Sequence, residues 1–126
     1  MIALVVFAHG SKVEAANEAV REVAGRVQTR SGYVTEAAFL EIAQPDLASA
    51  VDSLAGRGAT RIVVLPYFLA PGRHAERDLP RLIEDIRERL RDIHNNVRIE
   101  AAANLDGHPA LVGMLIDRAT AVLEGS

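Results

Sequence analysis

Short continuous apolar runs alternate with helical repeats along the chain. The runs predict strands at residues 2–7, 33–40 and 61–66, with a weaker one at 97–101. Each run is separated from the next by a segment long enough for a helix. This order, strand then helix four times over, is typical of a parallel sheet whose strands are joined by helices.

Within the intervening segments, apolar residues recur every three or four positions, as on one face of a helix. The strongest repeat lies between residues 79 and 93 and has a charged opposite face, so it predicts an amphipathic helix that begins near Leu79. Pro109, at a first-turn position, predicts the start of the last helix. Gly32, Gly58 and Asn95-Asn96 mark helix ends. The repeats are Val13, Ala16, Val20, Val23 and Val27; Leu47, Ala50, Val51 and Leu54; Leu79, Leu82, Ile83, Ile86, Leu90 and Ile93; and Leu111, Val112, Leu115, Ile116 and Ala119.

These elements predict a single α/β domain over residues 1–126. We expect a three-layer αβα architecture of the (βα)₄ type, with a four-stranded, mainly parallel sheet and right-handed crossovers. Ligands of open parallel sheets bind beyond the carboxyl ends of the strands. The candidate loops are therefore 8–12, 41–46, 67–78 and 104–108.

Composition narrows the classes of function. The chain has 126 residues, 49% of them apolar, which suffices for one independent core. A net charge of −3 without long charged runs, and only 4% aromatic residues, argue against a nucleic-acid surface. The short apolar N-terminal run favours neither a signal peptide nor a membrane span. With no cysteine, a metal site must use nitrogen and oxygen ligands, and a cytoplasmic location is expected.

Three residues at strand ends could share one site. His9 follows the first strand, Glu41 the second, and His74 lies in the loop after the third. Two imidazoles and a carboxylate suit Co²⁺, Ni²⁺, Fe²⁺ or Zn²⁺, and imidazoles can also accept protons near neutral pH. Each residue could equally be a hydrogen-bonded structural side chain.

Polar neighbours surround these residues. Lys12, Arg73, Arg77 and Arg81 could meet anionic groups of a substrate or form solvated surface. Asp78 could orient the His74 ring or cap the following helix. Ser11 could cap the first helix. A serine hydrolase is disfavoured because the G-x-S-x-G elbow is absent, and a phosphate loop because G-x-G-x-x-G is absent.

Four segments together resemble the small form of the sirohydrochlorin cobaltochelatases, members of the class II chelatases. They are VVFAHGS at the first strand, AFLEIAQPDL at the second, RIVVLPYFLAPGRHAERDLP around the third, and GHPAL at the last helix. The resemblance covers nearly the whole chain. It implies a metal chelatase of the lyase class that inserts Co²⁺ into sirohydrochlorin in cobalamin biosynthesis, with Ni²⁺ and Fe²⁺ as alternatives and no organic cofactor.

The resemblance also implies roles for residues. His9 and His74 fall on the family's active-site histidines, as metal ligands and proton acceptors, and Glu41 on an acidic position that could join them. Ser11, Lys12, Arg73 and Arg77 would contact substrate, with Asp78 in support. Larger relatives contain two α/β halves, so this chain would form a homodimer with the cleft between subunits. A metallochaperone and a noncatalytic subunit remain as alternatives.

Overall fold

The computed structural model describes residues 1–69 and 73–125, with the side chains of 73–77 outside the described part. It has four strands and four helices in strict alternation. The strands are β1 (Ile2–Ala8), β2 (Val34–Phe39), β3 (Arg61–Pro66) and β4 (Arg98–Ala101); the helices are α1 (Glu14–Ser31), α2 (Leu47–Gly56), α3 (Arg73–Ile93) and α4 (Ala110–Glu124). The predicted (βα)₄ order is confirmed.

All strand pairs are parallel, and the order across the sheet is β2-β1-β3-β4. The central strand β1 is aligned so that Ala8 pairs with Phe39 of β2 and Phe7 with Pro66 of β3. The carboxyl ends of β1, β2 and β3 therefore lie level with one another at one edge of the sheet.

Two clusters of buried side chains fill the space between the layers. Alternate residues of β1 point to opposite faces: Val5 and Phe7 join the cluster beneath α2 and α3, whereas Val6 and Ala8 join the cluster beneath α1. The predicted αβα layering is confirmed. In the described part of the chain, no helix combines the length and apolarity needed to cross a bilayer.

The helices end where the sequence predicts. Gly32 adopts a left-handed conformation (φ 79°) after α1, and its N–H donates to the carbonyl of Gln28. A glycine meets this conformational requirement without steric cost. The N-terminus of α2 is capped by Asp46, whose carboxylate accepts the backbone N–H of Ser49 at 2.8 Å.

Helix α3 differs from the prediction because it begins at Arg73 rather than near Leu79. Pro80 lies inside the helix, where it removes a single backbone donor. The residues before Leu79 are mostly polar and so leave no apolar repeat, although Arg, Ala and Glu are good helix formers. His74 therefore belongs to the start of a helix and not to a loop.

Candidate active site

The side chains of His9 and Glu41 meet at the carboxyl edge of the sheet. Nε2 of His9 lies 3.0 Å from Oε1 of Glu41, and the two side chains are 53% and 58% exposed. Exposed ion pairs contribute at most about 1 kcal/mol to stability. Folding therefore provides little reason for this pair, which presents a nitrogen and an oxygen to solvent.

The pair forms because β1 and β2 continue to interact beyond their last residues. The N–H of Leu40 donates to the carbonyl of Ala8 at 2.9 Å, and the N–H of Glu41 donates to the carbonyl of His9 at 3.1 Å. Two residues that are 32 positions apart are thereby held on adjacent extensions of one parallel ladder.

Gly10 allows this close approach. Its φ is 97°, and a Cβ added there would lie 1.9 Å from the carbonyl oxygen of Glu41. A side chain at this position would collide with the backbone that carries the Glu41 carboxylate. Glycine is therefore required both by the left-handed conformation and by the space available.

Asn17 of α1 holds the other end of the His9 loop. It is 3% exposed; its Oδ1 accepts the N–H of Ser11 at 2.9 Å, and its Nδ2 donates to the carbonyl of Ser11 at 2.8 Å. No sequence motif points to Asn17. The available signal was its position four residues after Val13 and three before Val20, a spacing that places a polar residue on the apolar face of α1.

Ser11 stabilises the same turn without capping the helix. Its hydroxyl oxygen accepts the N–H of Val13 at 3.0 Å, whereas the N-cap of α1 is Val13, which makes no side-chain capping bond. The neighbouring Lys12 is exposed in this loop. Both predicted contact residues thus accompany His9 at the sheet edge.

Arg21 connects α1 with the loop that carries Glu41. It donates to the carbonyl of Gln44 at 3.0 Å, and its guanidinium carbon lies 5.2 Å from the centre of the Phe39 ring. It also donates to Glu14 at 2.7 Å, and this hydrogen bond is the main reason that the pKa of Glu14 lies below its usual value. The β1–α1 and β2–α2 loops are therefore both anchored to α1.

On the other side of β1, the chain leaves β3 toward His74. The N–H of Tyr67 donates to the carbonyl of Phe7 at 2.7 Å, and Phe68 packs edge-to-face on Phe7 with ring centres 6.1 Å apart. Residues 70–72 lie outside the described residues. Since β1 and β3 are neighbours, as predicted from the sequence, the loops after both strands leave the same edge.

Helix α3 carries the remaining candidates. Arg73 and His74 belong to its first turn and Arg77 follows, but their side chains lie outside the described residues. Asp78 is half-buried inside the helix, so the interpretation as an N-terminal cap is wrong. It remains four positions from His74, a spacing that places both positions on one face of the helix.

The geometry of His9 and Glu41 suits two kinds of chemistry. A neutral imidazole that donates from Nε2 to the carboxylate keeps Nδ1 unprotonated, ready to bind a metal or accept a proton. Alternatively, two ligands at right angles around a metal, each bonded at about 2.1 Å, are about 3.0 Å apart, the distance found here. Among the side chains that the structure describes, no three His, Asp or Glu form a complete metal site.

A cavity of about 490 Å³ lies at the ends of β3 and β4. Its lining includes Pro66 and Phe68 from the β3 side, Ile83 of α3 and Ala101 of β4, and is mainly apolar. Neither His9 nor Glu41 lines it. The nitrogen and oxygen donors instead lie on the open surface above β1 and β2.

Comparisons with known proteins place this arrangement in context. A family model described as CbiX matches residues 3–122. The sirohydrochlorin cobaltochelatase of Methanococcus maripaludis is 36% identical over 84 residues, which make up 66% of this chain and 58% of that protein. The chain thus matches less than two thirds of the length of this curated relative.

Two solved structures share the fold. A CbiX protein of cobalamin (vitamin B12) biosynthesis from Marinobacter aquaeolei superimposes with a TM-score of 0.83 at 28% identity, over the full length of both chains. The sirohydrochlorin chelatase SirB from Bacillus subtilis subspecies spizizenii, solved in complex with cobalt, gives 0.69 at 26% identity. That second match covers 82% of this chain and 43% of the SirB chain.

Proposed function

Because this chain belongs to the CbiX family, we propose that it inserts a divalent metal ion into sirohydrochlorin, with Co²⁺ as the physiological ion in preference to Ni²⁺ or Fe²⁺. The observation that carries the proposal is the exposed His9–Glu41 pair at the carboxyl edge of the sheet. The activity of the Methanococcus relative and the cobalt in the SirB complex support the choice of reaction and metal.

Metal insertion exchanges bonds at the ion and at the macrocycle. The ion must lose water ligands as four metal–nitrogen bonds form, and two pyrrole N–H bonds must break, which releases two protons. His9 binds the ion through an imidazole nitrogen and accepts a proton as the ion leaves; Glu41 orients the ring through its 3.0 Å contact. His74 is proposed as the second ligand and proton acceptor.

Positive charges around the edge would bind the carboxylates of the macrocycle. Lys12 is exposed next to His9, and the backbone of Arg73 and Arg77 lies at the start of α3, on the far side of the His9 loop. Ser11 adds a hydroxyl group to the same surface. We assign these residues to substrate binding, with Asp78 supporting His74.

We further propose that the chain is one half of a symmetric homodimer whose cleft lies between the subunits. The alignment with only 43% of the SirB chain is the share expected of one half. In a two-fold dimer, one patch on each copy faces its equivalent. The exposed His9 and Glu41 would then face the equivalent surface of the second subunit across the cleft. The reaction would proceed in the cytoplasm without an organic cofactor.

The test is an anaerobic spectroscopic assay of sirohydrochlorin with Co²⁺, Ni²⁺ and Fe²⁺. We expect insertion faster than the spontaneous rate, fastest with Co²⁺, and losses of at least about tenfold in H9A and H74A. H94A is the matched control because His94 follows the last turn of α3, at the opposite edge of the sheet, and its activity should stay within about twofold.

Two results would contradict the proposal. If the protein binds Co²⁺ but leaves the spontaneous insertion rate unchanged, it is a metal-binding protein and not a chelatase. If insertion is catalysed and neither H9A nor H74A loses activity, the two histidines are not the site.

A further inference from the structure

Helix α4 presents an apolar face that the described residues leave uncovered. Val112, Leu115, Ile116 and Val122 are 62%, 72%, 58% and 73% exposed. They recur at helical spacing on one side, while Asp117 and Glu124 lie on the other. Large exposed apolar surfaces on an amphipathic helix indicate an interaction site.

One area of the sheet is also apolar and is incompletely covered by helices. Helix α1 packs on β1 and β2, and on the same face Leu4, Val63 and Leu65 are only half-buried. Their strand neighbours Ile62 and Val64, which point to the other face, are fully buried. The half of this face formed by β3 therefore lacks a helix of its own among the described residues.

A groove along α1 borders this area. Gln28 lies on the flank of α1 toward β2, because its side-chain oxygen accepts the N–H of Thr35 at 3.0 Å. Val23 and Val27 lie on the opposite flank, toward β3, and with Arg26, Arg30 and Ser31 they line a groove of about 390 Å³. An apolar helix could pack there, beside α1 and over β3.

Helix α4 does not occupy the groove of its own chain. Its residues Leu111, Met114, Leu115 and Arg118 line a cavity of about 240 Å³ with Leu69, beyond the carboxyl edge of the sheet. The groove lies along the second half of α1, which runs toward the opposite edge. The two apolar surfaces of one chain are thus separated.

We infer that α4 of each copy packs into the groove along α1 and over the neighbouring surface of β3 in a second copy. This inference rests on the proposed homodimer and specifies what holds it together. Burying a Val, Leu or Ile side chain removes roughly 60–120 Å² from water. Four such side chains per helix, about two-thirds exposed and matched by equal sheet surface on both copies, give on the order of 1,000 Å², the lower bound for a biological interface.

Cysteine crosslinking tests the exchange directly, because the native chain contains no cysteine. V63C combined with I116C places one thiol on the half-buried surface of β3 beside the groove and one on the apolar face of α4. A bismaleimide should convert this double variant into a covalent dimer on a denaturing gel. The matched control combines V63C with A121C on the opposite face and should stay largely monomeric.

Two outcomes would overturn the inference. A crosslink within one chain, recognised by intact mass on the monomer band, would show that α4 folds back on its own sheet. No crosslink at all would show that α4 lies elsewhere, for example against α4 of the second copy. In sedimentation, V112K should weaken self-association at least tenfold and A121K less than twofold; equal effects would also contradict the exchange.

The result of the crosslinking experiment does not depend on the proposed chelatase reaction. A covalent dimer that fails to accelerate metal insertion would refute the chelatase and leave the exchange intact. A protein that catalyses insertion but crosslinks within one chain would refute the exchange of α4 and leave the chelatase proposal intact.

Discussion

Replacing Gly10 by alanine should pull the His9 and Glu41 loops apart. The added Cβ would lie 1.9 Å from the Glu41 carbonyl oxygen, whereas such contacts are essentially never below 3.0 Å, so the loops must open by about 1.1 Å. The 3.1 Å bond between the Glu41 N–H and the His9 carbonyl would then stretch to about 4 Å and be lost.

These changes determine how much unfolding free energy the variant loses. Losing one hydrogen bond costs about 0.5–1.5 kcal/mol, and a left-handed conformation (φ 97°) costs alanine about 1–2 kcal/mol. G10A should therefore lose about 2–3 kcal/mol of unfolding free energy, equivalent to about 10 °C in Tm. Because the carboxylate moves away from the imidazole, we also expect metal insertion to slow at least tenfold.

Differential scanning calorimetry and the anaerobic insertion assay would measure both effects. G25A is the matched control: an added Cβ meets nothing within 4 Å in α1, and helix propensity favours alanine by about 0.5–1 kcal/mol. The same substitution should thus stabilise at one site and destabilise at the other. A G10A protein with Tm within 2 °C of wild type and normal activity would refute the reasoning.

Three further predictions concern the surroundings of the pair. E41Q should lower kcat/KM for metal insertion about tenfold while changing unfolding free energy by less than about 0.5 kcal/mol, since the contact is exposed; a larger loss of stability in urea would indicate a structural role. N17A removes both bonds to the Ser11 peptide and should cost about 2–3 kcal/mol in guanidinium denaturation; a loss below about 0.5 kcal/mol would contradict the role of Asn17 in holding the His9 loop. The Ser49 N–H lowers the pKa of Asp46, so this carboxylate stabilises fully above about pH 4 and less as pH falls through its folded-state pKa. D46A should therefore cost about 1 kcal/mol at pH 7 and less at pH 3; a difference that does not change with pH would exclude this origin.

The agreement between sequence and structure is best where the pattern is local. The four strands and the order of elements follow from apolar runs and repeats, because each strand buried on both faces needs an unbroken run. The meeting of His9 and Glu41 follows from a general rule, since parallel strands place their carboxyl ends at one edge. The start of α3 was missed because the polar residues 73–78 leave no apolar repeat before Leu79.

The contacts of Asn17 could not be predicted from a local pattern. Its role depends on the backbone of Ser11, six residues away across a turn, and a polar residue in a helix is by itself no indication of that contact. Gly10 is similar: a glycine after a strand predicts a turn, but not that its missing side chain makes room for the Glu41 carbonyl.

The sequence by itself determined the fold class, the boundaries of most elements and the residues that could carry metal chemistry, because periodicity and residue type are properties of short segments. Only the tertiary structure decided that a buried asparagine and a glycine hold the His9–Glu41 pair, and that α4 leaves its apolar face exposed. These features depend on distances between segments far apart in the chain, which packing sets and no local pattern records.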